Sequence, residues 1–139
     1  MLYSPEILAA AVRLADYPLD SALPLAGEAR SRGCGSTLAI RLATDADGRI
    51  VAAGCRAQAC AVGQAAASLF LDHARGRSSQ QLGESRDRLS AWLTGAGQAP
   101  DWPGIDLLEP ARAYPARHGA ILLAWDAALA ALASQPALR

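Results

Sequence analysis

The chain has 139 residues, 52% hydrophobic and 19% charged, with 13 basic and 13 acidic side chains in balance. That length suits one domain, 1–139, which can bury about two-thirds of its unfolded surface and needs no disulfide or metal merely to fold. Neutral balance excludes the one-signed field that recruits nucleic acid or anionic lipid, no apolar run approaches the ~20 residues of a bilayer span, and no basic region precedes an apolar N-terminal core, so the expectation is a soluble, cytoplasmic protein.

In chain order, "YSPEILAAAVRLA" offers Ser4 as N-cap, Pro5 at the first helical position and Glu6 in the first turn. Leu8, Val12 and Ala15 share one face, which predicts a short helix. Residues 16–32 hold Pro18, Pro24 and Gly27 and form an extended connection, the expected source of a third strand. "STLAIRLAT" (36–44) alternates, "DADG" (45–48) signals a hairpin turn, and "RIVAAGCRAQ" (49–58) continues beyond it. A turn centred between Ala46 and Asp47 opposes Leu38 to Cys55, Ile40 to Ala53 and Leu42 to Val51. All six are apolar, while Thr37, Arg41 and Arg56 fall on the other face, so both faces agree with one register. "CAVGQAAASLFLDHAR" (60–75) predicts a helix ending near Gly76. Ser78 with Gln81 resembles a capping box that starts a short helix, and "SRDRLSAWLTG" (85–95) carries one more. Residues 96–115 are loop-rich. The last helix, 116–133, places Ile121, Leu122, Trp125, Leu129 and Leu132 at helical spacing. Helix, hairpin, then helices argues α+β: a small antiparallel sheet, hairpin 36–58 plus a third strand, with helices on one face.

The three cysteines, Cys34, Cys55 and Cys60, all fall within this hairpin region. In a reducing compartment thiols are buried, metal-binding or reactive rather than disulfide-bonded. Cys55 lies mid-strand on the apolar face and is expected to be a plain core thiol. Cys34 precedes the first hairpin strand and Cys60 follows the second, so the register makes them near-neighbours at the open end. There they are expected within roughly 7 Å or a little more between Cα atoms. Cys60 also opens a helix, whose positive end favours thiolate. Cys34 sits between Gly33 and Gly35, which leave space beside its sulfur. On chemistry alone the pair is equally compatible with two small residues at loop ends. His118 reads either as a ligand or as a solvated or capping residue, and His73 as a charge at a helix end.

Taken jointly, these segments resemble the U-type iron–sulfur cluster scaffolds: IscU, SufU and the N-terminal domain of NifU. "YS" ahead of an apolar helix, "CGS" at Cys34–Ser36, the hairpin and its turn, the interval to Cys60, "CAVGQAAASLFLDHARGRS", and "YPARHGAILLAWDAAL" carry the likeness over nearly the whole chain. The last is most similar to the SufU-like branch. The resemblance implies an α+β fold and no enzyme activity. It implies a scaffold that receives sulfur from a cysteine desulfurase, assembles a [2Fe–2S] cluster from iron, and passes it to apo-protein recipients. Zinc is held by SufU-like members. Three cysteines and an Asp are the family's working residues, with a Lys or His beside the third cysteine. Here Cys34 and Cys60 match the first two cysteines, Ser36 stands at the Asp position, and Gly119 and Ala120 stand at the third pair. The metal set on offer is Cys34, Cys60 and, one residue early, His118. The alternative is a divergent member without cluster assembly, which binds zinc weakly or serves only as a partner of the desulfurase or a recipient. No nucleic-acid or membrane partner is expected, and a homo-oligomer is compatible with this picture.

Overall fold

The computed structural model describes residues 2–134. Helix α1 (Pro5–Arg13) begins as the sequence dictates, with the Ile7 amide donating to Ser4 Oγ. A short 3₁₀ turn, Leu14–Asp16, follows. Three strands come next: β1 (Leu25–Arg30), β2 (Thr37–Thr44) and β3 (Ile50–Gln58). They form one antiparallel sheet in the order β1-β2-β3. Helices α2 (Ala61–Asp72), α3 (Ser79–Leu93) and α4 (His118–Ala133) complete the fold. The expected α+β architecture and third strand are present.

Helix α4 lies directly on β1 and β2. The approach is closest at Gly27, where an added Cβ would sit 2.1 Å from the Ala127 carbonyl oxygen. With its preceding turn, Pro115–Ala133 is long and apolar enough, by length and composition, to cross a membrane, which corrects the view that no run came near that length. Over half of that stretch is buried within the fold, as befits a core helix. Helix α2 is the centre of the helical layer, with nine of twelve residues buried. Phe70, Trp102 and Trp125 cluster at centroid distances of 5.0–5.4 Å. Both indole N–H groups are satisfied, Trp102 by the Leu69 carbonyl and Trp125 by Ser85 Oγ.

Several expectations need correction. The hairpin pairs Leu38 with Ala57, Ile40 with Cys55 and Leu42 with Ala53, two residues away from the expected register. The cause is the tip. Asp45 Oδ1 accepts from the amides of Asp47 and Arg49, and the Asp45 amide donates to the Arg49 carbonyl, so the loop is wider than a two-residue turn. An irregularity between Ala43 and Thr44 then leaves Val51 without a partner. Ile50 takes the core position and Val51 is 44% exposed. A slip of two keeps side-chain facing, so Leu38, Ile40, Leu42 and Cys55 are buried as expected.

On α1 the buried face is Ile7, Ala10 and Ala11, while Leu8 and Val12 are exposed. Small alanines let α1 pack closely on the alanine-rich α2, and Ser68 Oγ donates to the Ala10 carbonyl at 2.6 Å. The two short helices expected after Gly76 are one, α3, with the capping box of Ser78 and Gln81 formed at its start. The loop-rich stretch contains a 3₁₀ helix, Ile105–Ala113. Its buried residues, Ile105, Leu108 and Ala111, recur every third position, the period of that helix.

Cys55 is 6% exposed, and burial pushes its thiol up to about 11. Replacing the sulfur by a hydroxyl would bury a polar group with no partner. Cys55→Ser is therefore expected to cost about 1–3 kcal/mol in urea denaturation and to leave metal content unchanged.

Candidate thiol site

The loop between β1 and β2 is closed by two backbone hydrogen bonds, from the Ser31 amide to the Ser36 carbonyl and from the Gly35 amide to the Ser31 carbonyl. Gly35 has φ +70°, a left-handed conformation that glycine adopts without strain. The closure buries Ser31 and Ser36 and leaves Cys34 exposed. Cys34 Sγ–H donates to Ser31 Oγ at 3.3 Å and shares a 2.9 Å hydrogen bond with Ser36 Oγ in which either atom can donate.

Once the sulfur loses its proton, both hydroxyls can turn their O–H toward it. The hydrogen bonds of Ser31 and Ser36 accordingly hold the Cys34 thiol below the ordinary 9.0, helped by the Ser36 amide and by the charge of Arg117. Ser36 thus does what a carboxylate at this position could not. It donates to a thiolate instead of repelling it.

Cys60 occupies the N-cap of α2, with its carbonyl accepting from the Gln64 amide and its side chain making no capping bond. It is half-buried and packed against the core. Both thiols lie beyond Thr37–Gln58, the last β2–β3 pair at the open end of the hairpin. The start of α4 reaches the same end. An added Cβ on Gly119 would sit 2.6 Å from Ser31 Oγ, so a side chain there meets the serine. Ala120 is buried, with its Cβ 3.1 Å from the position a Cβ on Gly63 would take.

His118 turns elsewhere. Its Nε2 lies 3.1 Å from the Ala111 carbonyl, beside a cavity of about 470 Å³ that it lines with Leu93, Thr94 and Arg112. Among the described residues no three His, Cys, Asp or Glu side chains gather as metal ligands, so Cys34, Cys60 and His118 do not form a trio here. His73 caps the end of α2 with its amide donating to the Phe70 carbonyl, and its own carbonyl accepts from Arg77 Nε. Sequence reasoning missed Ser31 and Arg117. The hydroxyls on both sides of the thiol in "SRGCGS" were the available signal for Ser31; Arg117 stood within "YPARHGAILLAWDAAL" with no role assigned to it.

No protein-family model matches the chain, and no curated protein matches it significantly. Solved structures do. A nitrogen-fixing NifU-like protein (N-terminal) from Brucella abortus superposes with a TM-score of 0.85 at 28% identity, covering 95% of this chain and 92% of that one. A protein assigned as an iron–sulfur cluster assembly scaffold for the SUF system, from thermophilic Fervidobacterium islandicum AW-1, gives 0.82 at 21% identity, covering 95% and 97%. A hypothetical protein gives 0.68 at 18% identity over 91% of this chain. The likeness in fold therefore runs the length of the chain and agrees with the IscU/SufU/NifU-like resemblance carried by the motifs.

Proposed function

We propose that this chain, NifU- and SufU-like in fold over nearly its whole length, is an iron–sulfur assembly protein of the scaffold type that handles its cargo through Cys34 and Cys60. The observation that carries this reading is the Cys34 loop. It presents an exposed thiol, its pKa lowered by two serine hydroxyls, at the position that resembles the family's first cysteine, on a fold shared with NifU- and SufU-like proteins. Thiolates suit iron, [2Fe–2S] clusters and zinc alike. By the same resemblance the partners are a cysteine desulfurase and apo-protein recipients, and the role is carriage rather than catalysis. Two thiolates fall short of the four ligands that close a structural zinc site. Full retention of a metal or cluster then needs donors from a partner or a second subunit.

The alternative, a divergent protein that has lost assembly and only binds partners or weak zinc, is favoured by the absence of a three-ligand group among the described residues. Anaerobic purification with iron, zinc and sulfide analysis separates the two. The isolated protein is expected to hold substoichiometric metal, which Cys34→Ala or Cys60→Ala abolishes. His118→Ala should leave the content unchanged, because its ring is held at the Ala111 carbonyl; a loss matching the cysteine variants would restore the histidine to the ligand set. Metal content indifferent to both cysteines would overturn the cargo reading.

A further inference from the structure

We infer that the open face of the sheet, beside the Cys34 loop, is a docking surface for an extended acidic segment of a partner protein. Helix α4 covers the other face of β1 and β2. On the open face, strand pairing sets Glu28, Ala39 and Arg56 in one row and Arg30, Thr37 and Gln58 in the next. These residues line a groove of about 390 Å³ whose floor is the small side chain of Ala39. Arg32 stands in the adjoining loop.

Charge is distributed unevenly among the arginines. Arg13, Arg86 and Arg112 pair with Asp72, Asp126 and Glu109. Arg41, Arg49 and Arg77 donate to backbone carbonyls. Among the described residues, Arg30 and Arg56 have no carboxylate partner, as is also true of Arg32, Arg75, Arg88 and Arg117. In a chain of zero net charge the groove itself holds two guanidiniums, Arg30 and Arg56, against one carboxylate, Glu28.

A guanidinium fork matches a carboxylate in two parallel hydrogen bonds. Arg30 and Arg56 stand one row and two strands apart, about 12 Å, close to the spacing of side chains four positions apart on an extended peptide. Glu28 repels carboxylates from its end of the groove and so directs an acidic run toward Cys34. Nucleic acid fits less well, since no aromatic side chain lines the groove for base stacking. Docking itself stands apart from metal binding; only its use, bringing a partner to the thiol, rests on the function proposed above.

The test uses the intact protein and a fluorescein-labelled eight-residue peptide of alternating Glu and Ala, followed by anisotropy at low salt. Saturable binding is expected, weakened by added salt. Arg30→Glu with Arg56→Glu should weaken it ~10-fold or more, the scale of losing charge-assisted hydrogen bonds. Arg75→Glu with Arg88→Glu makes the same change in net charge away from the groove, and should change binding less than ~2-fold, as expected for screened surface charges. Denaturation midpoints confirm that both variants fold. Cys34→Ala should bind the peptide as the parent does, whatever happens to its metal. No binding at millimolar peptide, equal losses in the two double variants, or displacement by a single-stranded oligonucleotide at lower concentration would each overturn the proposal.

Discussion

Gly27→Ala is expected to destabilise the fold by about 3 kcal/mol or more, at or beyond the upper end of ordinary overpacking. The new methyl would sit 2.1 Å from the Ala127 carbonyl oxygen and 2.5 Å from the Ala131 amide nitrogen. Both are backbone atoms of α4, so no side chain can swing aside. Relief requires α4 to lift from β1, and α4 also packs on β2, α2 and α3. Gly83→Ala is the internal control. It lies inside α3 with nothing within 4 Å of an added Cβ. There the change should stabilise by about 0.5–1 kcal/mol, because alanine is the better helix former. Urea midpoints at constant slope would show the two glycines moving in opposite directions. A Gly27→Ala midpoint within error of the parent would mean that α4 does not press on β1 as closely as described.

Much of this fold is written in local signals. The N-cap at Ser4, the capping box at Ser78 and Gln81, and the alternation of β2 each depend on a few neighbouring residues, and each is present. The hairpin register depends on more distant detail. The Asp45 side chain widens the turn, and the skipped Val51 makes up the difference. Because the slip is of two residues, the burial of Leu38, Ile40, Leu42 and Cys55 was legible, while their partners and the exchange of Val51 for Ile50 in the core were not. Helix α1 has two apolar stripes, and sequence alone cannot say which one meets α2. The alanine stripe does, since it permits close approach, and Leu8 and Val12 are left in water. At the site, the cysteines were visible as residue types. Ser31 and Arg117 were not, since loop closure and the start of α4 bring them to the sulfur.

The sharpest difference expected among the cysteines is chemical. At neutral pH iodoacetamide should label Cys34 first and Cys55 roughly 10⁴-fold more slowly or worse. Cys34 is exposed and held toward thiolate by Ser31, Ser36 and Arg117. Cys55 is buried, with its thiol pushed up to about 11, and reacts only through the small unfolded fraction, on the order of 10⁻⁴ or less for an ordinary domain. The effects on stability run in opposite directions. The lowered Cys34 value favours the fold above the unfolded thiol's pKa, and that contribution is lost as pH falls through the folded value. The raised Cys55 value favours the fold below about 9, and that contribution is lost as pH climbs toward 11. Ser31→Ala combined with Ser36→Ala removes both hydroxyl donors, so the pH midpoint of Cys34 labelling should move up. Ser36→Asp should move it up as well, because a carboxylate then faces the thiolate. Residue-resolved mass spectrometry across a pH series reads all of this in one experiment. A Cys34 midpoint that stays put when both serines are alanine would show that neither hydroxyl stabilises the thiolate.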